Sequence, residues 1–225
     1  MDRTMSYSQE DFFHLINFFG YGQPEAEIWI LSSHESDRSE NLSKRLEFDQ
    51  VCDKRSAMNV LGMTLNEFDQ ACLGGQGRTI ARIYLGLASK KISDDAIETF
   101  LIEKLFHEDQ NSMFIPFDPI PVEGEECDFP SLFPMFTGHK AYLAKMFKMR
   151  SEFLQEALDQ YKPKLVIASM PKDDRYPAAF FEPLNLIDQG SFEASWNTET
   201  VFIRLDSLNM LNEQGLTGLL EFINE

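Results

Sequence analysis

Two rhythms of apolar and polar positions divide this chain. The first repeats every three or four residues and predicts helices. Phe12, Phe13, Ile16 and Phe19 share one face behind Ser8 as N-cap, with Glu10 and Asp11 in the first turn and Gly20 as the stop. His14 in this helix reads as a packed or surface residue. Thr64 to Cys72 forms another helix, with Thr64 and Glu67 at capping-box spacing. Arg78 to Ala88 carries Ile80, Ile83, Tyr84 and Leu87 on one face. Ser93 caps a helix whose apolar face is Ile97, Phe100, Leu101 and Leu105, with Asp94 and Asp95 at its positive end. Lys140 to Tyr161 is the clearest helix, basic at Lys140, Lys145, Lys148 and Arg150. Gly215 to Ile223 closes the chain, and short helices are predicted near Lys44 to Val51 and Pro177 to Leu184.

The second rhythm is the short apolar run bounded by turn residues, which predicts buried strands. Such runs stand at Ile28–Leu31, Ser112–Phe117, Leu165–Ser169 and Val201–Leu205, with a further run at Ser191–Trp196. Pro116 predicts that its strand lies at an edge or ends there. Helices between strands imply βαβ joins, right-handed crossovers and helices on both faces. The expected fold class is therefore α/β, a three-layer α/β/α sandwich with a four-stranded, mainly parallel sheet. Residues 1–225 form a single domain, without repeats or a domain break. The four strand ends should converge on one edge, with Ser33 and Ser169 on the same side.

Composition narrows the function. The 225 residues are 43% hydrophobic and include 20 Phe, and the net charge is -17. That charge argues against a whole-surface attraction to nucleic acid, which needs clustered Lys and Arg. It leaves open a local pocket for a nucleobase, nucleotide or nucleic acid, and a protein partner docking on an acidic surface. No apolar run reaches the length of a membrane span, and the N-terminus lacks a signal-peptide pattern. Cys52, Cys72 and Cys127 form no CxxC pair, so neither a metal site nor a disulfide framework is expected. No cofactor is implied, and a cytoplasmic location fits.

Candidate chemistry gathers after the first strand. Ser32, Ser33, His34 and Glu35 follow it directly, where α/β sheets bind ligands. Asp118 follows the second strand, Ser169 ends the third, and Asp206 and Ser207 follow the fourth. Gly74, Gly75 and Gly77 lack a preceding strand and the GK[ST] ending of a phosphate cradle, so they read as a loop between helices. The acidic, proline-rich residues 118–134 read as a surface loop or a lid.

GYGQPEAEIWIL, QGRTIARIYLGL, FIPFDPIP and YKPKLVIASM occur in the order of a bacterial family of uracil-DNA-glycosylase-like proteins, which the chain resembles from Gly20 to about Ser207. The resemblance implies a three-layer fold with four parallel strands. It implies that an acid or amide after the first strand positions water, which maps to Ser32, Ser33, His34 and Glu35. It further implies an aromatic that stacks on an extruded base, here Phe114 or Phe117, and a polar edge reader, here Asp118. The family's last loop carries a His-Pro pair that stabilises the departing base. This chain has Asp206-Ser207 there, and an aspartate repels an anionic leaving group. The expectation is a protein that binds a nucleobase, nucleotide or protein partner without efficient base excision. The alternative is an active N-glycosidic-bond hydrolase in which His34 donates and a sheltered Glu35 of raised pKa holds the water.

Overall fold

Four apolar runs form the middle of one sheet. The structure is a computed structural model that describes residues 6–34, 42–88, 90, 92–107, 111–120, 129–170, 187–188, 192–196, 199–208 and 211–224. Strands β1 (Gly20–Gly22), β2 (Ile28–His34), β3 (Val51–Cys52), β4 (Met113–Asp118), β5 (Leu165–Ser169), β6 (Ile187–Asp188), β7 (Glu193–Trp196) and β8 (Val201–Leu205) lie in the order β3-β1-β4-β2-β5-β8-β7-β6. The four central strands are parallel neighbours. Among the described residues the sheet is wider than the four strands expected, and it is mixed. β1 runs antiparallel to β4, and β7 runs antiparallel to β8 and β6.

Period-two alternation sends neighbouring side chains of the central strands into two separate cores. Trp29, Leu31, Met113, Ile115, Val166 and Ala168 enter one, while Ile30, Phe114, Leu165, Ile167 and Ile203 enter the other. Each core is closed by helices. Helices α1 (Gln9–Ile16), α2 (Leu42–Arg45), α7 (Phe129–Leu132) and α8 (His139–Tyr161) cover the first. Helices α3 (Lys54–Leu61), α4 (Leu65–Cys72), α5 (Gly77–Leu87), α6 (Asp94–Glu103) and α9 (Glu213–Asn224) cover the second. The result is a helix–sheet–helix sandwich.

Several local expectations hold. Ser8 and Thr64 each make a full capping box, with Asp11 and Glu67 respectively, and Ser93 caps α6. The turn after Cys72 joins two helices, as expected for the glycine loop. Three expectations change. The region 44–51 holds the end of α2 and the start of β3 in place of a longer helix. The helix α3, capped by Asp53, was not foreseen. Pro116 lies inside a central strand rather than at an edge. On β4, β1 pairs only with Met113 and Phe114, so no described strand lies beside β4 on that side at residue 116, and Arg150 donates to the Pro116 carbonyl. The run expected at 177–184 and residues 121–128 lie outside the described residues.

Lys54 gives the fold a pH-dependent feature. It is 2% exposed and donates through Nζ to the Leu101 carbonyl. Burial lowers its pKa from the ordinary 10.5 to about 8, against the pull of nearby Asp53. The unfolded chain therefore holds this proton more tightly than the folded one. For this group, stability rises as pH climbs from 8 to 10.5. Comparing wild type with Lys54→Met in urea across that window should show the wild type gaining about 2–3 kcal/mol relative to the variant. A constant difference across the window would contradict this.

Candidate functional site

Parallel pairing fixes where the strand ends lie. Ser32 stands in register with Ser169 on one side and Pro116 on the other, His34 stands opposite Asp118, and Ser169 stands opposite Leu205. The carboxyl ends of β2, β4, β5 and β8 therefore form one edge, with Ser33 and Ser169 on the same side. Adjacent strands are about 4.8 Å apart, so the span from β2 to β8 is roughly 10 Å, the scale of a small heterocycle. Helices α3 to α6, between β2 and β4, lie on one face, and α8, which follows β4, lies on the other. The chain runs from β2 outward to β4 and then back across β2 to β5, so the β2–β5 pair, where Ser32 stands opposite Ser169, is the topological switch point, the place where open α/β sheets hold ligands.

Asp118, at the end of β4, is the best-defined group of the carboxyl edge. It is half-buried, accepts from the Ile120 N–H at 3.1 Å and accepts from the Tyr142 hydroxyl. Tyr142 is fully enclosed; burial, then the Asp118 charge, pushes its phenol well up, so it stays protonated and donates. His139 stacks on Phe129 with ring centroids 4.8 Å apart, and Phe129 lies 4.6 Å from Tyr142. The start of α8 therefore builds an aromatic wall beside Asp118.

Arg150 anchors that wall. It lies one helical face along α8, fully buried, and donates to four backbone carbonyls. Nε reaches Phe117 at 3.0 Å, Nη2 reaches Pro116 at 2.7 Å, and Nη1 reaches Ile16 at 3.1 Å and Phe18 at 2.9 Å. Burial lowers its pKa to about 10, while Asp118 and Tyr142 pull it up, so the guanidinium stays charged at neutral pH. The sequence reads Arg150 as one of the basic residues of the Lys140–Tyr161 helix. The structure instead makes it the clamp joining α8, the end of α1 and the end of β4. Its spacing from Met146 and Leu154, both buried, was the signal that could have found it.

At the far side of the edge, Ser169 Oγ accepts from the Leu208 N–H at 3.1 Å, which pins the chain after β8 against β5. Beyond it, a groove of about 720 Å³ opens between the end of β8 and α9. Asp206, Ser207, Asn212, Thr217 and Glu221 line it with polar groups, and Leu211 supplies apolar surface. Among the described residues its lining has no cationic side chain. Asn212, Thr217 and Glu221 are site residues that the sequence did not single out. They lie on the closing helix and just before it, where the apolar face dominates the pattern.

Other expected site residues fare differently. Ser32 and Ser33 are buried at the edge, 4% and 8% exposed. Phe114 and Phe117 do not face the site. Each is fully buried, Phe114 against Tyr21 and Phe106, and Phe117 against Phe147. Strand alternation places them in opposite cores, so neither can stack on an extruded base. Glu35 lies outside the described residues, as does the side chain of His34. Among the described residues no group of three or more His, Cys, Asp or Glu is placed to hold a metal ion, and no helix is long and apolar enough to cross a membrane. The chain matches no protein-family model, no curated protein and no solved structure.

Proposed function

We propose that this chain is a divergent uracil-DNA-glycosylase-like protein that binds a nucleobase, free or as part of a nucleoside or nucleotide, without efficient base excision. One observation carries the reading. Hydroxyl, amide and carboxylate groups meet at the carboxyl edge of four parallel strands, beside a groove whose described lining holds no cation. A neutral base edge both donates and accepts hydrogen bonds, and Ser207, Asn212 and Asp206 offer both roles. A phosphate would meet the carboxylates of Asp206 and Glu221 with no cation among the described lining residues, and the net charge of -17 weakens any long-range attraction to nucleic acid. Departure of a base leaves negative charge on it. Asp206 opposes that charge, and losing one oriented donor slows such a step on the order of 100- to 1000-fold. Buried thiols at Cys52 and Cys72 suit a reducing, cytoplasmic setting. The acidic surface gives a second reading, a protein partner with a basic face.

The test pairs binding with chemistry. Uracil, hypoxanthine, adenine and their nucleosides are added during thermal unfolding. A ligand at one hundred times its Kd contributes about 2.7 kcal/mol, or roughly 5–10 °C for a chain of this size. At least one member of the panel should give such a shift, and uracil- or hypoxanthine-containing DNA should release no base. No shift with any member overturns the binding reading. Robust release that vanishes in His34→Ala overturns the non-excising reading and makes His34 the donor.

A further inference from the structure

A second cavity lies on the opposite edge of the sheet, at the amino ends of β2 and β4. It encloses about 290 Å³ between Glu27–Ile28, the end of α5, α6 and Asn111–Ser112. Tyr84 and Phe100 stack with centroids 5.6 Å apart at an interplanar angle of 28°, and both belong to the lining. The Tyr84 hydroxyl is already committed, donating to the Ile28 carbonyl at 3.0 Å. The aromatic pair, Ile28 and Leu87 thus offer a flat apolar wall.

Charge in this cavity runs against the rest of the protein. Lys90 and Lys104 both line it, and neither ammonium has a hydrogen-bond or ion-pair partner among the described residues. The carboxylate in the lining, Glu27, is neutralised elsewhere. Lys164 pairs with it and Asn111 donates to it at 3.2 Å, and these two hold its carboxyl below the usual range. Among the described residues, two cations without a carboxylate partner therefore remain beside an apolar wall, in a chain of net charge -17. A cleft lined by one sign of charge concentrates ions of the other sign. Pockets that hold small ligands combine this kind of apolar wall with a few convergent polar groups.

We infer that this cavity is a binding site for a small aromatic organic anion, with its ring on the Tyr84–Phe100 wall and its carboxylate or phosphate between Lys90 and Lys104. The site is separate from the strand carboxyl edge and stands whether or not a nucleobase binds there.

The probes are 1-naphthoate, 1-naphthyl phosphate, neutral 1-naphthalenemethanol and inorganic phosphate, titrated into the full chain and followed by calorimetry. Saturable binding of naphthoate or naphthyl phosphate is expected, with the better of the two fixing whether the anion is a carboxylate or a phosphate. The neutral alcohol and inorganic phosphate should each bind at least tenfold more weakly. Lys90→Gln/Lys104→Gln should lose at least tenfold in affinity while unfolding at the wild-type temperature, because both side chains are solvent-accessible and neither has a partner among the described residues. Ala88→Trp, at the exposed rim, should block the cavity and abolish binding. Absence of saturable binding by both anions, or equal affinity in wild type and the double lysine variant, overturns the inference.

Discussion

Arg150→Met should destabilise the protein by about 3–5 kcal/mol, seen as a lower urea midpoint with an unchanged slope. Methionine fills much of the volume but donates nothing. It would leave the carbonyls of Ile16, Phe18, Pro116 and Phe117 without the donor that now reaches them. Each buried carbonyl left unsatisfied costs about 1–3 kcal/mol, partly relieved by local relaxation. Arg150→Lys separates charge from geometry. It keeps the cation but cannot span four acceptors with one ammonium, so its stability should fall between the other two. A loss under about 1 kcal/mol in Arg150→Met would show that the clamp contributes little.

Gly22→Ala should be the other large effect, a loss of about 3 kcal/mol or more. Gly22 adopts φ +108, and a Cβ there would sit 2.1 Å from the Ser112 carbonyl oxygen, a backbone atom that cannot swing aside. Relief requires β1 to move off β4. Tyr21, fully buried against Phe18, Phe68 and Phe114, would move with it. Gly218→Ala is the control. A Cβ at Gly218 meets nothing within 4 Å, and alanine inside a helix is favoured by about 0.5–1 kcal/mol. Thermal or urea unfolding of both variants checks the contrast, and a harmless Gly22→Ala would contradict the close approach of β1 and β4.

The central strands were legible because each is a short apolar run bounded by turn residues. Of the outer strands, β7 was legible in the run Ser191–Trp196, and β1 and β3 were not. β1 is Gly-Tyr-Gly, a sequence that reads as a turn, and β3 has two residues. Both exist because tertiary pairing holds them, which local propensity does not report. The same limit explains the site. Ser32, Ser33, Asp118, Ser169, Asp206 and Ser207 reach one edge because strand ends can be read from the runs. Phe114 and Phe117 could not be placed, since an aromatic in a buried strand looks the same whether it faces a core or a pocket. Arg150 reads as one more basic residue of its helix until α1 and β4 supply its acceptors, more than a hundred residues away in one case and more than thirty in the other.

Amide-resolved NMR during titration with the base or nucleoside that most raises the unfolding temperature tests the central claim most directly. The account predicts that shifts concentrate at residues 32–33, 118, 169, 206–208 and 212–218, with Asp206→Asn altering the affinity and no free base appearing over the titration. Shifts confined to the amino ends of the strands, or scattered without a cluster at the carboxyl edge, would contradict it.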